Sequence, residues 1–302
     1  MWRGGVNPWQ CDQMGHLNVR FYVAHAIEAL AALAAALGMN QASSPRATST
    51  LIVREHHIRF LKEAQSGDPL HMTAGLLDID ATGATVLQTL FHSLTGEPAA
   101  VIQTRLVHAR AQDGQPFPWP RAALARAGAL SIAIPPGLEA RSLTPGDPPE
   151  AGTSAQADRL GLVRNGLGAF ALQECDAFGR VGAAQVIGRM GDGAAHIIAT
   201  TRDSIGAPAS GDRPVGVAVV EYRLLYRTWP GPGDRYDMRS GFKSVEPRRL
   251  RLSHWLLDPE SGQPWAEAHA VLVPFDLKRR KAVTLPQHAL EALASRVVAF
   301  EG

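Results

Sequence analysis

The chain is poor in the residues that mark special chemistry or a special location. It has 2 cysteines in 302 residues, Cys11 and Cys175, too few for a disulfide framework or a structural zinc site. An excess of one charge is missing as well: 30 Lys and Arg stand against 28 Asp and Glu, a net +2. That balance excludes the broad basic face that nucleic acid or an anionic membrane would require. The most apolar stretch, Phe21 to Leu37, carries His25 and Glu28 and falls short of the ~20 apolar residues of a spanning helix. The opening Met1-Trp2-Arg3-Gly4-Gly5-Val6 shows neither a secretory h-region nor a lipidation motif. His56, His57, His71 and His92 lack metal-ligand spacing, so no metal is assigned. These absences predict a cytoplasmic protein that works on a small molecule, with neither nucleic acid nor membrane as partner.

What the chain does contain is a copy of itself. Glu174-Cys175-Asp176-Ala177-Phe178-Gly179-Arg180-Val181 echoes Gln10-Cys11-Asp12-Gln13-Met14-Gly15-His16-Leu17 at an offset of 176 − 12 = 164. Further on, Glu55, Gly67, Asp68 and Met72 match Glu221, Gly233, Asp234 and Met238 at an offset of 221 − 55 = 166. The second offset continues without a gap to Pro120-x-x-Ala123-Leu124 against Pro286-x-x-Ala289-Leu290. Repeats of this length mean duplicated domains rather than a solenoid. We expect domains at 1–132 and 154–302, joined by an irregular Pro-rich linker at 133–153.

Each copy reads as α+β. In the first, a helix from Val19 to about Leu37 starts at the N-cap residue Asn18 and stops at Gly38. Strand-like runs follow, separated by turn signals at Ser66-Gly67-Asp68, Thr82-Gly83 and Thr95-Gly96-Glu97-Pro98, which predicts an antiparallel meander. The helix is apolar nearly all round, so a curved sheet wrapped about it would satisfy its need for cover. The second copy repeats this order, with a helix weakened by Gly188, Gly191 and Gly193 at about 1 kcal/mol each relative to Ala.

The chemistry concentrates at the mouth of the first helix. Asp12, His16 and Asn18 place a carboxylate, an imidazole and an amide beside unpaired helix N–H groups that carry partial positive charge. Such a site suits acyl transfer, where an oxyanion develops on a carbonyl. Each residue also has a plainer reading: Asp12 as a turn residue, His16 as a structural hydrogen-bond partner, Asn18 as an N-cap.

Asp-x-x-x-His-x-Asn followed by a long apolar helix resembles the hot-dog thioesterases related to 4-hydroxybenzoyl-CoA thioesterase, in which the Asp is the catalytic carboxylate. The resemblance implies two tandem hot-dog domains, each a long central helix wrapped by an antiparallel sheet. It further implies hydrolysis of an acyl-CoA or acyl-carrier thioester, with Asp12 as nucleophile or general base and N–H groups from Gly15 to Val19 as the oxyanion hole. Coenzyme A then arrives as part of the substrate and no separate cofactor is needed. A homodimer of tandem chains remains open. In the second copy His16 is replaced by Arg180 and Asn18 by Gly182, so Asp176 is expected to sit in a weak or inactive site. Lys278-Arg279-Arg280-Lys281, the one basic run, is a candidate for the phosphates of coenzyme A. Two other classes are open: a hydratase or dehydratase acting on an enoyl thioester through Asp12 and His16, and a non-catalytic acyl-thioester binder.

Overall fold

The computed structural model describes residues 1–146, 151–205, 215–276, 278–279 and 281–300. They form two compact units, one made of Met1–Arg141 with Ala171–Gly188, the other of Ser142–Phe170 with Arg189–Gly302. Packing therefore groups the second Asp turn with the first unit, although it belongs to the second sequence copy.

In the first unit β1 (Trp2–Gly5) is followed by α1 (Val19–Ala36), then β2 (Ser49–Phe60), β3 (Pro69–Ile79), β4 (Gly83–His92), β5 (Pro98–Arg110) and α2 (Arg121–Ala127). The strands pair antiparallel in the order β1-β3-β4-β5-β2. The second unit holds α3 (Ser154–Arg159), β6 (Val163–Ala169), α4 (Ala183–Ile205) from Arg189 onward, β7 (Val215–Tyr226), β8 (Arg235–Glu246), β9 (Arg249–Leu257), β10 (Pro264–Asp276), β11 (Lys281–Ala282) and α5 (Gln287–Ala294), the residues of α4 up to Gly188 lying in the first unit. Its order is β6-β8-β9-β10-β7, with β11 added to β10. Strand for strand this is the order of the first unit.

The irregularities repeat as faithfully as the strands. Among the described residues three β-bulges recur in both units, their extra residues Arg54, Leu77 and Ala99 in the first and Val220, Lys243 and Trp265 in the second, all at the offset of 166, while the second unit has a further one at Asn165 of β6. Bulges depend on local backbone geometry and are retained as features of a fold. Three coincidences in register confirm the duplication independently of residue identity, and the two tandem copies have the α+β hot-dog arrangement expected.

α1 buries Tyr22, Val23, Ala26, Ala29, Leu30, Leu33 and Ala34, a stripe at helical spacing. Each fully buried Leu contributes about 2 kcal/mol over leaving it in water. The cover is less complete than its composition suggested, since Ile27, Ala31, Ala35 and Ala36 are exposed; alanine tolerates water and has the best helix propensity. By length and composition alone α1 could cross a membrane, but here its apolar stripe lies against strands such as β3 and β4. β6 ends at Ala169, and Leu172–Glu174 turns into a short 3-10 helix. Gly193 of α4 has a packing reason: a Cβ there would stand 1.7 Å from Met238 Cε and 2.9 Å from the Asn165 carbonyl oxygen.

The described residues of the Pro-rich segment, 133–146 and 151–153, are irregular, and two buried carboxylates hold them. In the second unit Glu221, 1% exposed, accepts the N–H groups of Ser142 (2.8 Å) and Leu143 (3.3 Å). Glu267 accepts the Gly152 N–H at 2.7 Å. Buried carboxylates need such donors to be tolerated.

Candidate active site

The loop before α1 is built by its own backbone. The Asn7 N–H donates to Gln10 Oε1 (2.8 Å), the Asp12 N–H to the His16 carbonyl (2.8 Å) and the Gly15 N–H to the Asp12 carbonyl (3.0 Å). Gly15 has φ +80°, a conformation that glycine adopts without a Cβ penalty. Leu17, 4% exposed, anchors the far side by donating its N–H to Ala64 at 2.8 Å. Within this frame Asp12 Oδ1 accepts the N–H groups of Met14 (2.8 Å) and His16 (3.1 Å). Its other oxygen, Oδ2, has no partner among the described residues, and the side chain stands exposed. The carboxylate is thus oriented by one oxygen and presented by the other.

Asn18 is the N-cap of α1, its Oδ1 accepting the Arg20 N–H at 3.0 Å. The Val19 N–H, next to it, has no acceptor among the described residues. The expected oxyanion set narrows accordingly. The Gly15 N–H closes the turn, whereas the Val19 N–H stands without an acceptor among the described residues at the positive end of the helix. His16 Nε2 points to Glu63 at 3.6 Å, so the contact it makes with Asp12 is through the backbone N–H. Beneath the loop Tyr22 is buried, and burial raises its phenol above the usual range. His25 stacks on Trp2 at 3.9 Å, its proton affinity lowered by burial.

The second Asp turn is the same object with different fittings. Asp176 Oδ1 accepts the N–H groups of Phe178 (2.8 Å) and Arg180 (3.0 Å), and Gly179 sits at φ +76°. Here Oδ2 is occupied, receiving Arg180 Nε at 3.2 Å. Gly182 supplies no cap to α4. Both cysteines are half-buried and lean on a backbone carbonyl, Cys11 Sγ on Asn7 at 3.5 Å and Cys175 Sγ on Ala171 at 3.7 Å.

Of the basic run, Lys278 and Arg279 lie in the β10–β11 turn, their N–H groups donating to Asp276 Oδ1 at 2.9 and 2.8 Å. Lys281 opens β11 and is exposed, and Arg280 lies outside the described residues. The turn belongs to the second unit and the Asp12 loop to the first. One residue escaped the sequence reading: Arg54, the bulged residue of β2. The signal was available, since the repeat aligns this half-buried arginine with Val220.

Comparison with known proteins agrees with this architecture. The chain matches the Thioesterase-like superfamily over residues 6–127 and again over 170–293. A betainyl-CoA thioesterase of Pseudomonas aeruginosa is 27% identical over 128 residues, 42% of this chain and 80% of that protein. Among solved structures, an acyl-ACP thioesterase from Bacteroides thetaiotaomicron shares the fold with a TM-score of 0.65 at 9% identity, over 90% of this chain and 96% of the other. The 12:0-ACP thioesterase of Umbellularia californica does so with a TM-score of 0.61 at 13% identity, over 90% and 93%. With both copies matched over more than half its length, the chain belongs to the thioesterase-like superfamily and is a thioester hydrolase.

Proposed function

We propose that the chain hydrolyses an acyl-CoA thioester to the free acid and coenzyme A at the Asp12 loop. The carrying observation is the unpartnered Oδ2 of Asp12, held in place through Oδ1 beside a helix N–H that has no acceptor among the described residues. In this reading the carboxylate either attacks the thioester carbonyl or takes a proton from the attacking water. The Val19 N–H stabilises the oxyanion, the C–S bond breaks and the thiolate leaves, taking a proton that comes from the water. In the nucleophilic route that water then cleaves the mixed anhydride on Asp12 to release the acid. Asn18 positions that N–H by capping the helix, and His16 braces the loop. Coenzyme A as the carrier is supported by the name of the betainyl-CoA relative, and the setting we infer is the cytoplasm.

The test is a panel of acyl-CoA thioesters followed by free-thiol release, with Asp12→Asn as control. Thiol release that disappears in the variant supports the reading. Loss of enoyl absorbance without thiol would replace it by hydration, and binding without turnover would leave a non-catalytic binder.

A further inference from the structure

The Asp176 turn gathers more positive charge than its carboxylates neutralise. The Arg180 side chain, 16% exposed, spends Nε on Asp176, and its guanidinium makes no further hydrogen bond among the described residues. Its Nη1 lies 4.0 Å from the point where a Cβ on Gly114 would stand, and Ile52 Cδ1 is 3.2 Å from that same point. The guanidinium therefore comes near the side chain of Ile52, which precedes Arg54 by two residues on β2. Arg54 is half-buried at its bulge and forms no ion pair among the described residues. Burial and then the nearby Arg180 charge lower its proton affinity. Neighbouring like charges in a partly desolvated place are unfavourable, and Asp176 offsets only one of the two.

The neighbouring carboxylates are already engaged, Asp176 Oδ2 by Arg180 itself. Asp176 Oδ1 takes two backbone N–H groups, Asp113 takes Arg110 and the Gln115 N–H, and Glu174 takes the Ala171 N–H. Meanwhile α4 starts uncapped: the N–H groups of Ala183 and Ala184 have no acceptor among the described residues. Arg20 adds a further cation by donating Nη2 to Gln185 Oε1 at 2.7 Å. All of these groups lie in the first unit. The cationic features stand where the other copy has something else: Arg54 against Val220, Arg180 against His16, uncapped Gly182 against Asn18.

We propose that the second Asp turn is a binding site for a phosphate-type oxyanion, held between the Arg54 and Arg180 guanidiniums and the first N–H groups of α4. Guanidinium forks match phosphate oxygens two at a time, and a helix N-terminus adds oriented donors. The anion is either free phosphate or a phosphate of the thioester's carrier. The second alternative rests on the proposed hydrolysis; the site itself does not.

Calorimetric titration of the full chain with inorganic phosphate, and separately with coenzyme A, tests this. The variants Arg54→Val, Arg180→His and Gly182→Asn each install the residue of the other copy, so the local backbone each requires is already found in this fold. Phosphate should bind the parent, and affinity should fall at least roughly tenfold in Arg54→Val and Arg180→His, as expected for loss of a charge-assisted contact. A smaller loss should follow Gly182→Asn, whose side chain would compete for the helix N–H groups. Coenzyme A binding that weakens with Arg54→Val identifies the carrier phosphate. Coenzyme A binding indifferent to Arg54→Val, alongside phosphate binding that is sensitive to it, identifies the free anion. Absence of phosphate binding in the parent overturns the proposal. So does unchanged phosphate binding in variants that melt like the parent, and if one variant fails to fold the other two decide. No thioester is present, so the outcome is independent of whether the chain hydrolyses one.

Discussion

Two turns with the same hydrogen bonds carry opposite electrostatics. Around Asp12 and Asp176 the loop closure, the positive-φ glycine and the pair of N–H donors on Oδ1 coincide within a few tenths of an ångström. They diverge at Oδ2, vacant of protein partners among the described residues in the first and paired with Arg180 in the second. They diverge again at the helix start, capped by Asn18 in one and left open at Gly182 in the other. The backbone motif is a holder, then, and two or three side chains decide what it holds. A carboxylate paired with a guanidinium keeps its charge but is blunted as a nucleophile or base.

The largest expected effect comes from exchanging the carboxylates. Asp12→Asn should lower thioester turnover by at least ~10²-fold, the usual contribution of a general base, while Asp176→Asn should retain at least half the activity. Thiol-release kinetics on both variants, with melting curves to verify folding, decides this. Equal losses, or a greater loss at Asp176, would assign the chemistry to the other turn.

The two cores offer the next contrast. In the first unit Gln88 donates Nε2 to the Ala26 carbonyl and accepts from Thr104. At the same repeat position the second unit has His254, 1% exposed, with Nδ1 2.7 Å from Ser240 Oγ. Burial pushes His254 down to about 4 from an ordinary 6.5. Below pH 6.5 the unfolded chain takes up a proton that the folded chain refuses, so stability is lost as the pH falls from about 6.5 to about 4. The loss from this residue is on the order of 3 kcal/mol. His254→Gln should flatten that part of the pH–stability curve; a denaturant melt series that keeps its slope would refute the assignment.

Smaller effects are expected at the edges of the comparison. Arg279→Ala combined with Arg280→Ala should raise KM for acyl-CoA by the equivalent of about 1–3 kcal/mol and leave acyl-pantetheine substrates unaffected. Equal shifts for both substrates would remove the basic run from phosphate binding. Asn18→Ala should destabilise the chain by about 1 kcal/mol through loss of the cap. The same variant should lower kcat more than it raises KM if the Val19 donor acts chiefly on the developing oxyanion. A pure stability loss, with both kinetic constants unchanged, would reduce Asn18 to a structural role.

The sequence by itself determined the duplication, the order of elements and the identity of the Asp turns, because each is written in local periodicity, turn glycines and repeated residues. Gly15 and Gly179, Gly67 and Gly233, and Gly96 and Gly262 all appear at positive φ as matched pairs. The N-cap role of Asn18 was legible for the same reason, since capping needs only residues two apart. What only the tertiary structure decided depends on groups distant in the chain or on how a shared donor is spent. No spacing rule reveals that the Gly15 N–H closes its own turn, or that Asp12 Oδ2 stays open while Arg180 folds onto Asp176. Nor could sequence place Arg180 beside a strand that begins with Ser49, or attach Ala171–Gly188 to the first unit. Local hydrogen bonding shapes a turn from within, but the charges around it are supplied by elements that packing brings together.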